Sequence, residues 1–322
     1  MQPEPLLIAI VGPTGSGKSD LGLTVAETFG GEIVNCDSVQ VHRYLDIGTA
    51  KTPLSERRGI PHHMIDIADP DELVTAGDYA MKGRTVLHDI AQRGRLPVIV
   101  GGTGFYLRAL IEGLFAGPRR DPLLRERLST RARQRPRSLH RILARLDRAA
   151  ALRIHPNDTN KLIRALEVCL LTRRPLSSLH GQGRDALQGF RITKIGLNPP
   201  RDELYARLET RTRRMFEAGL LEEVRQILAL GFRADSKSLG SLGYRQAIQA
   251  LKGEITLEQA TELTLQETRR YAKRQWTWFR REPNVDWLQG FGSDTGVQFQ
   301  AINRIPEIPL IAGETFSSSI RI

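Results

Sequence analysis

Residues 12 to 19 read Gly12, Pro13, Thr14, Gly15, Ser16, Gly17, Lys18, Ser19, a full match to the pattern G-x-x-x-x-G-K-[ST]. The glycines let successive backbone N–H groups curl around an anion, the following helix start adds partial positive charge, Lys18 brings a full one, and Ser19 can ligate Mg2+. Such a loop binds phosphates, most commonly those of ATP. The machinery of ATP hydrolysis is not evident, because "LPVIVGGTG" ends at Gly101, Gly102, Thr103 and Gly104. An acidic residue usually holds Mg2+ at that place. Asp37, after "EIVNC", and Asp66, after "HHMI", follow apolar residues and could serve instead.

"NCDSVQVHRYLDIGTAK" sets Asp37, Ser38 and Gln40 just beyond a strand's carboxyl end, the edge where open α/β sheets place ligands. A carboxylate there can act as a general base, bind a metal or cap the next turn. "GGTGFYLRAL" repeats the design, with glycines for close backbone approach and a Thr103 hydroxyl that either serves the cleft or caps a helix. His62 and His63 are adjacent, so on a strand they point oppositely and would not chelate one ion. "NDTNKLIRALEV" opens with Asn157 and Asp158 as a helix cap and turns Lys161 and Arg164 toward RNA phosphates or toward solvent. "ETRRYAKRQWTWFRRE" interleaves six basic residues with Tyr271, Trp276, Trp278 and Phe279. That mixture suits RNA, with cations on phosphates and rings on bases, or a helix whose tryptophans pack inward while its arginines face water.

The elements that position these residues follow from periodicity. Apolar runs at 6–11, 32–37 and 96–102 read as strands, and amphipathic stretches at 19–29 and 76–93 read as helices, with Gly30 and Gly31 stopping the first. Strands apolar on both faces and separated by helices predict a parallel sheet covered on both sides. From Arg119 to Arg153 the chain holds twelve arginines against three acids, in helical patterning. A strand at 191–197 follows, then one long amphipathic helix from about Asp202 to Gly231. The expected fold is α/β, a P-loop NTPase-like parallel sheet core (1–116 and 191–290) with a helical, arginine-rich insertion domain (117–190). The tail, 291–322, shows no clear period and is assigned no element.

The net charge of +11 points to a polyanionic partner, nucleic acid first and an anionic membrane second, or to a merely soluble basic surface. Cys36 and Cys169 lie far apart with no metal-type spacing, which argues against a disulfide framework or zinc site and fits a reducing cytosol. "LLIAIV" is too short for a signal or membrane segment, so no membrane role and a cytoplasmic location are expected.

Taken in order, "GPTGSGKS", "GEIVNCDSVQVHRYLDIGTAK", "IPHHMID", "GGTGFYLRAL", "RIHPNDTNKLIRALEV", "LYARLETRTRRMFEAGLLEEV", "LGYRQAI" and "RRYAKRQWTWFR" resemble the bacterial tRNA dimethylallyltransferases, the isopentenylpyrophosphate transferase family. The resemblance spans about residues 7 to 281. It implies transfer of a dimethylallyl group from dimethylallyl diphosphate to N6 of the adenine next to the anticodon, tRNA position 37, in tRNAs reading codons that begin with U. It also implies Mg2+, an insertion that grips the anticodon stem-loop, and a target base flipped into a channel. Carried onto this chain, Gly12 to Ser19 bind the allylic diphosphate, with Thr14 to Ser19 lining its pocket and Arg211 near it. Asp37 is the implied general base, and Asp37, Ser38, Val39 and Gln40 meet the adenine. Thr103 falls beside the reacting centre. Lys161, Leu162, Ile163, Arg164, Ala165 and Arg125 fall where tRNA contacts are expected. One asymmetric RNA substrate needs only a monomer.

Cys36 stands where the family usually has alanine and His42 where it has tyrosine; Gly240 and Gln246 also depart from its pattern. A P-loop kinase and an RNA-stimulated nucleotide switch are the competing classes. The first does not account for the arginine-dense insertion, and the second leaves Asp37 and Thr103 without a role.

Overall fold

The structure, a computed structural model, describes residues 4–180 and 183–306. They form two compact units, one from the chain up to Ile111 and from Gln188 onward, the other Glu112–Leu187. In the first unit β1 (Leu6–Val11) leads to α1 (Lys18–Thr28), β2 (Gly31–Asn35), β3 (His62–His63), α2 (Ala76–Gln92), β4 (Leu96–Val100) and α3 (Gly104–Ile111). The second unit holds α4 (Pro122–Gln134), α5 (Ser138–Leu146), α6 (Arg148–Arg153), α7 (Thr159–Thr172) and α8 (Leu176–His180). The first unit then resumes with β5 (Arg191–Leu197), α9 (Arg201–Glu217), α10 (Leu220–Ala229), α11 (Tyr244–Leu251), α12 (Leu257–Phe279), β6 (Val285–Leu288) and α13 (Thr295–Arg304).

Among the described residues the sheet runs β3-β2-β4-β1-β5-β6, with every pairing parallel. Every residue of β1, β2 and β4 is buried, as apolar runs covered by helices on both faces require. Ile8, Ile10, Val98 and Ile195 of the sheet pack with Leu21 and Val25 of α1 in one core cluster. The predicted α/β class and parallel sheet are present, and β1 and β5 have the predicted limits.

Three expectations change. β2 stops at Asn35 and β4 at Val100, so Cys36, Asp37 and Gly101 onward are loop, where side chains no longer alternate between sheet faces. The long helix expected from Asp202 is two helices, because Gly219 takes a left-handed φ of 99° between α9 and α10. Residues 291–306, expected to lie outside the core, belong to it. Val297, Ala301 and Ile305 of this segment sit in the sheet's core cluster, and β6 closes one sheet edge beside β5. Its inward stripe is one residue wide at i, i+4 and i+8, too thin to read as a period. Residues 307–322 of the expected tail lie outside the described residues.

In the second unit, Leu128, Leu139, Leu143, Leu162, Ile163, Ala165 and Leu166 form a core of their own. Beside it the fully buried Glu167 carboxylate takes Nε and Nη2 of Arg125 at 2.7 and 2.8 Å, Nη1 of Arg164 at 2.6 Å and the Asp121 amide at 2.9 Å. Burial alone would raise its pKa, but the bonds from Arg125, Arg164 and Asp121 prevail and hold it at about 2. Glu167→Ala strands two half-buried guanidiniums and is expected to cost the unit about 3–5 kcal/mol in a denaturant melt. With the folded pKa depressed, the stabilisation is complete above the ordinary value of 4.5 and is lost as pH falls toward about 2, which acid titration followed by circular dichroism will read.

Candidate active site

The loop after β1 has the form an anion cradle needs. Gly15 and Gly17 adopt positive φ of 81° and 82°, which turns the backbone sharply into α1. Among the described residues, the amides of Gly15, Gly17, Lys18 and Ser19 meet no acceptor. Unmet amides at a helix start are a ready anion site. Lys18 folds back so that Nζ donates to the Pro13 carbonyl at 2.7 Å. Burial first, and then the Arg211 guanidinium, lower its pKa to about 7, against a smaller upward pull from Asp37. Arg211 of α9 reaches the loop, with Nη1 donating to the Thr14 hydroxyl at 3.5 Å and Nη2 to the Thr49 carbonyl at 3.3 Å; burial lowers its pKa too.

No group of three or more His, Cys, Asp or Glu among the described residues could hold a metal unaided. The loop offers instead the exposed Ser19 hydroxyl and the buried Ser16 hydroxyl, which has no partner. That donor set fits Mg2+ taken up with its waters and with phosphate oxygens. Asp66, a candidate Mg2+ acid from the sequence, is committed to the buried Lys51 at 2.6 Å.

Across the sheet edge, Asp37 reconciles two of its sequence readings. Its Oδ1 accepts from the Val39 and Gln40 amides at 2.8 and 3.3 Å, so it caps the turn. That fixes the carboxylate and leaves Oδ2 with no hydrogen bond among the described residues. Thr103 starts α3 through its carbonyl, whereas its hydroxyl accepts the Ser38 amide at 3.0 Å and donates to Ser38 Oγ at 3.3 Å. The hydroxyl therefore ties the β4 end to the β2 end and does not cap the helix. Gln40 Nε2 donates to the Thr49 carbonyl at 3.1 Å, the same oxygen that Arg211 uses.

Helix α12 supplies a wall that sequence reasoning missed. Gln275 takes the Thr14 amide on Oε1 at 2.7 Å and donates from Nε2 to the Gly102 carbonyl at 2.8 Å, joining the phosphate loop to the β4 end. One turn earlier the Tyr271 phenol meets the Thr103 hydroxyl, and burial followed by the Asp37 charge raises its pKa. One turn later Trp278 lies against Gly104, with Arg108 stacked 4.5 Å from its ring. Trp276 and Phe279 are buried, so this run packs inward with its aromatic residues, while Lys273, Arg274 and Arg280 are exposed. The signal for Gln275 was a polar residue on the buried face of an amphipathic helix. Glu223 was also missed: it accepts the Ile47 amide at 2.7 Å and the Tyr244 hydroxyl at 2.6 Å, anchoring the loop that carries Thr49.

The histidines behave as separate residues, His62 bonding the Ile60 carbonyl and His63 the Glu32 carboxylate. His42 is buried against the Asp69 carbonyl at 3.0 Å, and burial lowers its pKa. Cys36 is a buried free thiol, its pKa pushed up to about 12 chiefly by burial. Gln246 accepts the Gly243 amide at the start of α11.

In the second unit, Asp158 caps α7 by accepting the Lys161 amide at 3.2 Å, and Lys161 Nζ returns to it at 2.6 Å. Leu162, Ile163 and Ala165 are core residues, so of the expected RNA-contact run only Lys161 is exposed, with Arg164 half-buried beside it. A helix with one buried face cannot offer five consecutive side chains to a ligand. Arg125 and Arg164 direct their guanidiniums at Glu167.

The model of the IPP transferase family matches residues 40–282. A tRNA dimethylallyltransferase of Solibacter usitatus is 58% identical over 299 residues, 93% of this chain and 97% of that protein. One from Koribacter versatilis is 57% identical over 94% of this chain and 98% of its own length. Among solved structures, the tRNA isopentenylpyrophosphate transferase of Bacillus halodurans superposes with a TM-score of 0.68 at 37% identity, covering 93% of this chain and 94% of that one. A eukaryotic dimethylallyltransferase acting on tRNA gives 0.78 at 29% identity, over 92% and 78%. With unmet loop amides and an open Asp37 carboxylate oxygen on one sheet edge, and a family match over most of its length, the chain belongs to the IPP transferase family.

Proposed function

We propose that the protein transfers the dimethylallyl group of dimethylallyl diphosphate to N6 of adenine 37 in tRNAs reading codons that begin with U, releasing diphosphate. The observation that carries this reading is the pairing of unmet loop amides with the open Oδ2 of Asp37 at the carboxyl edge of one sheet. The names of the 57–58% identical relatives support the same reaction.

Adenine N6 is a weak nucleophile because its lone pair is delocalised into the ring. As the N6–C1 bond forms, the N6 proton passes to Asp37 Oδ2. The C1–O bond breaks at the same carbon, and the bonding pair leaves on the diphosphate. Lys18, Arg211 and the amides of Gly15, Gly17, Lys18 and Ser19 stabilise that growing charge. The Ser19 hydroxyl would help hold Mg2+, which would supply further charge neutralisation. The adenine leaves its stack at a cost of a few kcal/mol. Val39 and Gln40 shape the turn that receives it, and the Thr103 hydroxyl keeps Ser38 in place. Exposed arginines of the insertion, Arg127, Arg131 and Arg135 among them, grip the anticodon stem-loop through its phosphates. No described helix is long and apolar enough to cross a membrane. The enzyme works as a cytoplasmic monomer without consuming ATP.

Incubation with Mg2+, labelled dimethylallyl diphosphate and unmodified tRNA bearing A36-A37-A38, followed by digestion, is expected to yield prenylated adenosine. Unlabelled RNA accompanied by ATP turnover would falsify the assignment.

A further inference from the structure

The turn after β6 packs directly on the phosphate loop, although it lies beyond the residues the family model matches. The Gly292 amide donates to the Ser16 carbonyl at 2.9 Å. The two backbones touch, for a Cβ on Gly292 would fall 2.1 Å from the Gly17 carbonyl oxygen, and one on Gly17 would fall 2.8 Å from the Gly292 nitrogen. The turn itself is braced. Phe291 N donates to Asp294 Oδ2 at 2.8 Å and Gln298 Nε2 to the Gly292 carbonyl at 2.9 Å. Arg207 of α9 donates to Ser293 Oγ at 3.0 Å, stacks 4.9 Å from the Phe291 ring and approaches Asp20 of α1 at 3.7 Å.

We propose that the turn Gly290 to Asp294 is a positioning element for the phosphate loop, with Gly292 its principal residue. In a trans peptide the C=O of one residue and the N–H of the next point in opposite directions. Holding the Ser16 carbonyl toward Gly292 therefore directs the Gly17 N–H away from the turn, and that N–H has no acceptor among the described residues. The turn thus fixes one of the amides offered to the anion, and Arg207 ties the turn to the helix that begins there. Only glycine at 292 lets the backbones come this close.

The inference rests on the reading of this loop as the allylic diphosphate site, and the experiment separates the two. Gly292→Ala, Arg207→Gln and Lys18→Ala are made in the full chain, and KM is measured for dimethylallyl diphosphate and for tRNA, with thermal midpoints alongside. Gly292→Ala is expected to raise the diphosphate KM about tenfold or more, because small misplacements of a binding group are costly. The tRNA KM stays within about twofold, since the change is confined to one substrate's cradle. Should Gly292→Ala fail to fold, Arg207→Gln decides, with an expected rise of about threefold in the same parameter. Inorganic diphosphate affinity, read by calorimetry, should fall in parallel. A diphosphate KM unchanged in both variants while Lys18→Ala raises it overturns the positioning role alone. A KM unmoved in all three overturns the reading of the loop and the inference with it. Equal rises for both substrates with a lowered thermal midpoint mean general destabilisation and also overturn it.

Discussion

Asp37→Asn is expected to lower single-turnover prenyl transfer by about 10²- to 10⁴-fold, the range for losing a general base, while tRNA affinity in filter binding changes little. The substitution is sharp because the two carboxylate oxygens do different work. Oδ1 receives the Val39 and Gln40 amides, and an asparagine oxygen accepts them equally well, so the turn keeps its shape. What changes is the position of Oδ2, where the amide nitrogen carries two hydrogens and cannot take one from N6. A variant that folds, binds tRNA and turns over normally would remove Asp37 from the proton transfer.

The second large effect is at Lys18. Removing its ammonium deletes a full charge aimed at the leaving diphosphate, and Lys18→Ala should lower kcat/KM for that substrate by about 10²- to 10³-fold while sparing tRNA affinity. The residue also imposes a pH signature. Burial and Arg211 bring its pKa down to about 7, so in the free enzyme the ammonium is lost as pH rises through that value. Wild-type kcat/KM for the diphosphate should therefore decline on the alkaline side of about pH 7. Diphosphate binding at pH 8 should take up a proton, measurable by calorimetry in buffers of different ionisation enthalpy, and Lys18→Ala should abolish that uptake. If the variant weakens tRNA binding alone, the loop serves the RNA.

Four of the six strands were legible in the sequence, β1, β2 and β4 as apolar runs and β5 by its limits, and both "LLIAIV" and "RITKIGL" end where expected; β3, of two histidines, and β6, four residues interrupted by Asp286, are too short to show a period. The phosphate loop was equally legible, since its function depends on consecutive residues. Asp37 was placed beyond a strand, but how its two oxygens divide between turn and substrate follows from local folding that no pattern encodes. Gln275 could be marked only as a polar residue on the buried face of its helix: it joins Thr14 and Gly102 across 261 and 173 positions, and long-range pairing leaves no spacing that names its partners. Leu162, Ile163 and Ala165 illustrate the converse. A run that resemblance treats as one contact is divided by helical geometry into a buried face and an exposed one.

The order of the strands sets a length. β1, which ends in the phosphate loop, and β2, which leads to Asp37, are separated by β4 alone. Neighbouring strands lie about 4.8 Å apart, so the two ends stand roughly 10 Å from each other. β4 ends at Val100, and Gly101 and Gly102 after it send no side chain into the interval: a Cβ there would fall 2.1 Å from the Cys36 carbonyl oxygen and 2.2 Å from Nε2 of Gln275, the side chain that joins this end to the phosphate loop. The interval is a whole number of backbone hydrogen-bond steps and acts as a ruler that point substitutions on either strand cannot regraduate. In the proposed reaction the allylic donor is gauged against that fixed span.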